Sequence, residues 1–117
     1  MLIRSWDQLI ADGTIHVENG VVYTNADVDS GKNASSDALS GDLILSGEGV
    51  VALGDFDDDE WAGRAAFAYC DGLTGIYIPN SVIDVWDYAF DNCYALTTVM
   101  FEEDSQVANI WEYSFDD

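Results

Sequence analysis

Five carboxylates fill the six positions from Asp55 to Glu60, inside the stretch GDFDDDEWAG at residues 54–63. Asp55, Asp57 and Asp59 have the D-x-D-x-D spacing with which an EF-hand loop begins, a set of hard oxygen donors of the kind calcium takes. The remainder of that motif is missing. Glu60 stands where the sharp turn requires glycine, and the closing glutamate would fall at Ala66. The residues therefore predict no dedicated metal site and no cofactor, leaving only loose cation attraction. Catalysis has as little support. His16 is the single histidine, and no nucleophile is recognisably paired with it. Carboxylates are too numerous for any two to stand out as an acid/base pair, and no glycine-rich phosphate loop occurs. The expectation is a protein that is not an enzyme and has no catalytic residues.

What remains is recognition chemistry. The segments DVWDYAF and NIWEYSF place Asp84, Trp86, Asp87 and Tyr88 in one copy, and Trp111, Glu112 and Tyr113 in another. Tryptophan and tyrosine beside acids are what a binding hot spot for Arg and Lys contains. Core packing is the competing use of such aromatics, but Val85, Ala89 and Phe90 already supply an apolar face. Together with Asp55, Asp57, Asp58, Asp59, Glu60 and Trp61, these residues form the candidate partner-binding set.

Charge narrows the partner. The chain carries 23 acids against 3 bases, a net charge of −20, and no Lys, Arg or His follows Arg64. Direct contact with nucleic acid or an anionic membrane is disfavoured, because phosphate is drawn to Lys and Arg; a basic protein surface is attracted. Two explanations of the acidity stand. One is solubility or adaptation to high salt. The other is mimicry: rows of carboxylates occupying the basic groove of a nucleic-acid-binding protein. The second makes the chain an intracellular acidic inhibitor, similar to phage anti-CRISPR proteins in size and charge only.

The elements that must hold these residues fall into two parts. In residues 1–42, SWDQLIADG reads as a short helical turn with Ser5 as N-cap and Gly13 as stop. TIHVENGVVYT reads as a hairpin turning at Asn19-Gly20. NADVDSGKNASSDALSGD reads as a long polar loop, in which Asn33-Ala34-Ser35 matches a glycosylation acceptor. This part is expected to be an N-terminal hairpin-containing cap.

Residues 43–117 repeat. Phe67 to Phe90, Cys70 to Cys93, Leu73 to Leu96 and Ile78 to Phe101 are each 23 residues apart, whereas Val85 to Ile110, Trp86 to Trp111 and Tyr88 to Tyr113 are 25 apart. A period in the twenties signals a solenoid whose turns bury apolar faces against their neighbours. Short parallel strands are predicted at 43–45, 76–78 and 99–101. Val82, Val85, Ala89, Cys93 and Leu96 recur every three or four residues, which suits short helical or irregular return segments. Leu53 corresponds to Val85, and the longer path from Leu53 to Phe67 makes 55–64 an acidic insertion. Insertions emerge on one side of such a stack, often the binding side. The cysteines are too few for a disulfide scaffold. Stacking would place them about 5 Å apart, either bonded or as two small buried hydrophobes.

The run AFAYCDGLTGIYIPNSVIDVWDYAFDNCYALTTVMF resembles the BspA-type leucine-rich repeats, with their I-x-I-P-x-S-V, I-G-x-x-A-F and C-x-x-L patterns. The resemblance covers roughly residues 43–117 and not 1–42. It implies a leucine-rich-repeat solenoid, α/β or mainly β, that binds proteins and has no active site. Family members are mostly large and secreted or surface-displayed, so the alternative function is a fragment of a surface or secreted adhesin. If Met1 is the native start, this chain is expected to depart from them in being short and in lacking a signal segment; it also carries Trp86 and Trp111 where the family has glycine.

No apolar run near Met1 reads as a signal peptide and none downstream is long enough to span a bilayer. If Met1 is the native start, a cytoplasmic protein is expected; the family resemblance implies the extracellular alternative. The sequence shows no polar capping repeat at Phe115-Asp116-Asp117, which predicts weak homodimerisation through the C-terminal edge.

Overall fold

The computed structural model describes residues 5–45 and 49–110. In chain order come α1 (Trp6–Ala11), β1 (Ile15–Glu18), β2 (Val21–Thr24), β3 (Ala26–Asp27), β4 (Lys32–Asn33), a 3-10 turn (Ser36–Leu39), β5 (Gly41–Ile44), β6 (Ala52–Leu53), β7 (Leu73–Ile78), β8 (Asp84–Val85), β9 (Thr98–Phe101) and β10 (Asn109–Ile110). The architecture is mainly β, with mixed sheets and little helix.

The N-terminal elements form for local reasons. Ser5 and Gln8 make a capping box that satisfies two end N–H groups of α1, and Trp6 and Leu9, three apart, are its buried residues. Asn19 and Gly20 both have positive φ, 53° and 81°, as a two-residue type I′ turn requires. Gly20 has a second reason: a Cβ there would lie 2.7 Å from the Gly49 carbonyl, because residues 49–52 pass beside the turn and bond to its carbonyl.

Strand pairing follows the repeat. β5, β7 and β9 form a three-stranded parallel sheet in that order, aligning Leu43 with Ile76 and Val99. These are the three parallel strands expected at 43–45, 76–78 and 99–101. A second sheet runs β1-β2-β6-β8-β10, antiparallel at β1-β2 and parallel thereafter, aligning Val22, Leu53, Val85 and Ile110. The sequence places Leu53, Val85 and Ile110 at one repeat position without showing that the position is a strand. Inward side chains from both sheets, among them Val22, Leu53, Val85, Leu43, Ile76 and Ile78, join one core.

Two expectations need correction. The return segments are not helical. Val82, Ala89, Asp91, Cys93 and Leu96 donate backbone N–H bonds three residues back, and the positive φ of Tyr88 and Asn92 (62° and 57°) breaks any helix. The three-to-four spacing reflects one inward side chain per turn. Nor is 25–42 an open polar loop. β3 pairs with β4, the 3-10 turn follows, and Leu39 is buried. Its polar side chains are used internally: Ser35 Oγ donates to the Thr14 carbonyl at 2.7 Å, and its own N–H donates to Asn33 Oδ1 at 2.8 Å. Asn33 is buried and its amide is engaged, so the acceptor triplet Asn33-Ala34-Ser35 is closed to glycosylation in the folded chain.

Adjacent copies are also tied through backbone. Phe67 N–H donates to Ala89 O at 2.6 Å and Tyr69 N–H to Asp91 O at 2.7 Å; the Phe67 and Phe90 rings stack at 5.6 Å. Among the described residues, β9 and β10 are the last strands of their sheets, and Met100, Phe101 and Ile110 are exposed there. No described helix is long and apolar enough to cross a membrane.

Candidate functional site: an acidic hairpin docked on the repeat

Residues 55–64 form a miniature hairpin. Asp55 N–H donates to Arg64 O at 2.8 Å, Asp57 and Ala62 exchange backbone bonds, and Asp59 N–H donates to Asp57 Oδ1 at 2.9 Å across the tip. Gly63, at φ 99°, lies so close to the Asp55 carbonyl that a Cβ would collide with it.

Asp55 turns away from the tip. Its carboxylate accepts from the Arg64 N–H at 2.7 Å and from the Arg64 guanidinium, with Oδ2 at 2.9 Å from Nη2. Burial pushes the Asp55 carboxyl up, but the Arg64 bonds and charge outweigh this and hold it below the usual carboxylate range. Arg64 also reaches Glu18 at 3.2 Å and lies 4.1 Å over the Tyr23 ring. The arginine thus clamps the hairpin base to β1 and β2.

The rest of the loop docks on residues 87–88. Phe56 is buried beneath it, edge-on to Trp61 and to Tyr88 with both centroid distances 5.2 Å; Trp61 and Tyr88 meet at 6.0 Å. Such T-shaped contacts set the positive ring edge against the negative face. Trp61 Nε1 donates to Asp29, yet the ring is 49% exposed. Tyr88 OH donates to Asp58 Oδ1 at 3.0 Å, and Asp58 N–H donates to Asp87 Oδ2 at 2.9 Å.

The electrostatics are unfavourable to charge. Burial raises the Asp87 carboxyl, as do the Asp58, Asp57 and Asp59 charges, and the single Asp58 N–H bond offsets them only partly. Its Oδ1 is buried with no hydrogen-bond partner among the described residues. Burial and the Asp58 carboxylate push Tyr88 up to about 12.

The structure therefore brings Asp57, Asp58, Asp59, Trp61, Asp87 and Tyr88 together, with Glu60 exposed beside them. Asp55 is diverted to Arg64. Asp84 and Trp86 are half-buried in and after β8. Trp111, Glu112 and Tyr113 lie outside the described residues. Sequence reasoning missed Phe56, the buried anchor, and Asp29, the Trp61 partner. Phe56 alone had a signal, as an apolar residue inside an acid run.

Other reactive side chains are occupied. His16 Nε2 lies 2.9 Å from Asn25 Oδ1 and its ring stacks on Tyr23. Cys70 and Cys93 are buried free thiols. Cys70 Sγ accepts from Asn33 Nδ2, and the Cys93 thiol donates to Phe67 O. Burial pushes both thiols up, Cys93 to about 12, so neither supplies thiolate near neutral pH. Among the described residues, no three His, Cys, Asp or Glu side chains converge in a way that could hold a metal ion.

Comparison with known proteins gives one result. Residues 61–117 match the family described as BspA type leucine rich repeat region (6 copies). No curated protein and no solved structure matches the chain. The family match begins at Trp61, inside the acidic hairpin.

Proposed function

Since residues 61–117 match the BspA-type leucine-rich repeat family, we propose that the chain is a non-enzymatic protein-binding module, a short solenoid that offers its acidic hairpin to a basic segment of a partner protein. The observation that carries this reading is the docking of Asp58 and Trp61 onto Asp87 and Tyr88. It holds three adjacent carboxylates and an exposed indole on a fixed corner, so that an arginine or lysine can meet charge and an aromatic face together.

The finer form, inhibition of a nucleic-acid-binding protein by mimicry, draws its support from the net charge of −20 alone. The second reading, a fragment of a surface or secreted adhesin, draws support from the family match. Both use the same binding chemistry and differ in partner and compartment.

The test separates a local site from bulk acidity. The Asp57→Asn, Asp58→Asn, Asp59→Asn variant loses three charges at the hairpin. An Asp7→Asn, Asp37→Asn, Glu103→Gln variant loses three at remote exposed positions. With nona-arginine as probe, association of the hairpin variant is expected to be slower than that of the remote variant at low salt. The gap narrows as salt shortens the screening length to below about 10 Å. Equal losses in the two variants would remove the hairpin from the reading.

A further inference from the structure

The geometry points to a second binding site, for a short uncharged oligosaccharide, in the cavity between residues 31–36 and the two repeat corners at 69–71 and 92–94. It shares no residue with the acidic hairpin. The cavity measures about 600 Å³, within the range of small-molecule sites.

Its lining is itself repeated. Tyr69 and Asn92 occupy one repeat position, and Asp71 and Tyr94 another, each pair 23 residues apart. Two stacked copies thus each offer one tyrosine and one polar group, on either side of a buried cysteine. Tyr94 OH donates to Asn92 Oδ1 at 2.6 Å, and Asn92 Nδ2 donates to Asp91 Oδ2 at 3.2 Å, so the polar groups are fixed before a ligand arrives. The Tyr94 ring is 70% exposed at the rim, where core packing gives no reason for it.

Backbone strain marks the same place. Tyr69 sits at φ 62° where its repeat equivalent, at φ 57°, is asparagine. Asparagine adopts that conformation at lower cost than tyrosine, which takes it here and, outside this cavity, at Tyr88. A strained tyrosine at a cavity wall is a pointer to use at that wall.

The lining selects the ligand class. Tyrosine faces suit the C–H face of a pyranose ring, while the Tyr94 oxygen, its proton held by Asn92, is left to accept from a sugar hydroxyl. Lys32 contributes one ammonium and Asp71 one carboxylate. Among the described residues neither is in an ion pair. A donor and an acceptor of opposite charge match sugar hydroxyls, which both give and accept; they do not favour an ion of either sign. The net charge of −20 further excludes polyanionic glycans. A lining repeated along the stack suits a ligand that also repeats.

The experiment is an amide chemical-shift titration of the ¹⁵N-labelled chain with maltotriose, cellotriose, chitotriose and mannotriose. Trigalacturonate and tetra-alanine serve as anionic and peptide comparators. At least one neutral trisaccharide is expected to shift residues 32–34, 69–71 and 92–94 and leave 57–59 and 100 unmoved. Tyr94→Ala should weaken that binding by about tenfold; Asp71→Asn, an isosteric change at an exposed site, should weaken it too. Failure of all four sugars to bind, shifts centred elsewhere, equal binding of either comparator, or undiminished binding by both variants would overturn the assignment. Loss at the hairpin variant of the preceding section has no bearing on this site, so the two proposals fail separately.

Discussion

Asn33 Nδ2 donates to the Ala68 carbonyl at 2.7 Å. Twenty-three residues on, the equivalent carbonyl of Asp91 accepts the Tyr69 backbone N–H. Thr24 Oγ1 likewise donates to Ala66 O, whose equivalent, Ala89 O, accepts the Phe67 N–H. Two side chains from the first 42 residues thus stand where a preceding copy would supply backbone donors. They satisfy carbonyls that burial would otherwise leave unpaired.

Replacing Asn33 tests that arrangement. Asn33→Ala strands Ala68 O and the Ser35 N–H in a buried region and removes the bond that Thr24 Oγ1 accepts, leaving that hydroxyl only its bond to Ala66 O. The expected loss is about 2–4 kcal/mol, since each buried group left unsatisfied costs about 1–3 kcal/mol and neighbouring costs overlap. The denaturant midpoint should fall with the m-value unchanged. A shift under about 0.5 kcal/mol, the range of ordinary surface changes, would contradict the assignment.

Arg64 should matter through geometry as well as charge. It joins Asp55, Glu18 and the Tyr23 face, and its side chain is 34% exposed, so water screens the pairs and the loss in Arg64→Ala should be only about 1 kcal/mol. Arg64→Lys keeps the charge but loses the planar fork, so it should recover less than half of that. Full recovery by lysine in a thermal melt would show that charge alone is at work.

The Tyr69 backbone makes a signed prediction. Alanine ordinarily stabilises relative to glycine, but at φ 62° the order reverses, because a Cβ opposes that conformation. Tyr69→Gly should be more stable than Tyr69→Ala by about 1 kcal/mol. Comparing the two variants cancels the lost ring, and an Ala variant at least as stable as the Gly variant would show that Tyr69 is unstrained.

The sequence made some of this legible and hid the rest for identifiable reasons. Asn19-Gly20 and the 23-residue register are local signals, so the hairpin and the parallel strands at 43–45, 76–78 and 99–101 could be read directly. The second parallel sheet could not: β6, β8 and β10 are two residues each, too short to show alternation. The polarity of 25–42 misled because Asn33 and Ser35 use their polar groups internally. At the candidate site, the acid run was visible and its docking was not. That docking depends on Phe56, Asp58, Asp87 and Tyr88 meeting across about thirty residues of chain, a distance over which only tertiary packing decides.

The pH dependence of stability should carry the mark of Asp87. Its carboxyl is raised in the folded chain by burial and by Asp58, Asp57 and Asp59, whereas the unfolded value is about 3.9. The folded state therefore takes up this proton first. As pH falls from neutral through the raised folded value, stability climbs, and the gain is complete near the unfolded value. Asp55 has the opposite sign: its carboxyl is held low by Arg64, so its contribution is present above about pH 3.9 and lost below it. The parent chain should thus be most stable in mildly acidic solution. General relief of the −20 charge also contributes on acidification, so the parent curve alone does not single out Asp87. Asp87→Asn does. The side-chain carbonyl can still accept from Asp58 N–H, the buried charge is gone, and the new amide can donate toward the neighbouring carboxylates. The variant should be more stable than the parent by about 1 kcal/mol at neutral pH, with the difference shrinking toward zero near pH 4. Chemical denaturation of both chains across that range measures it. A variant less stable than its parent at neutral pH, or a difference independent of pH, would mean that Asp87 is not the strained charge its surroundings make it.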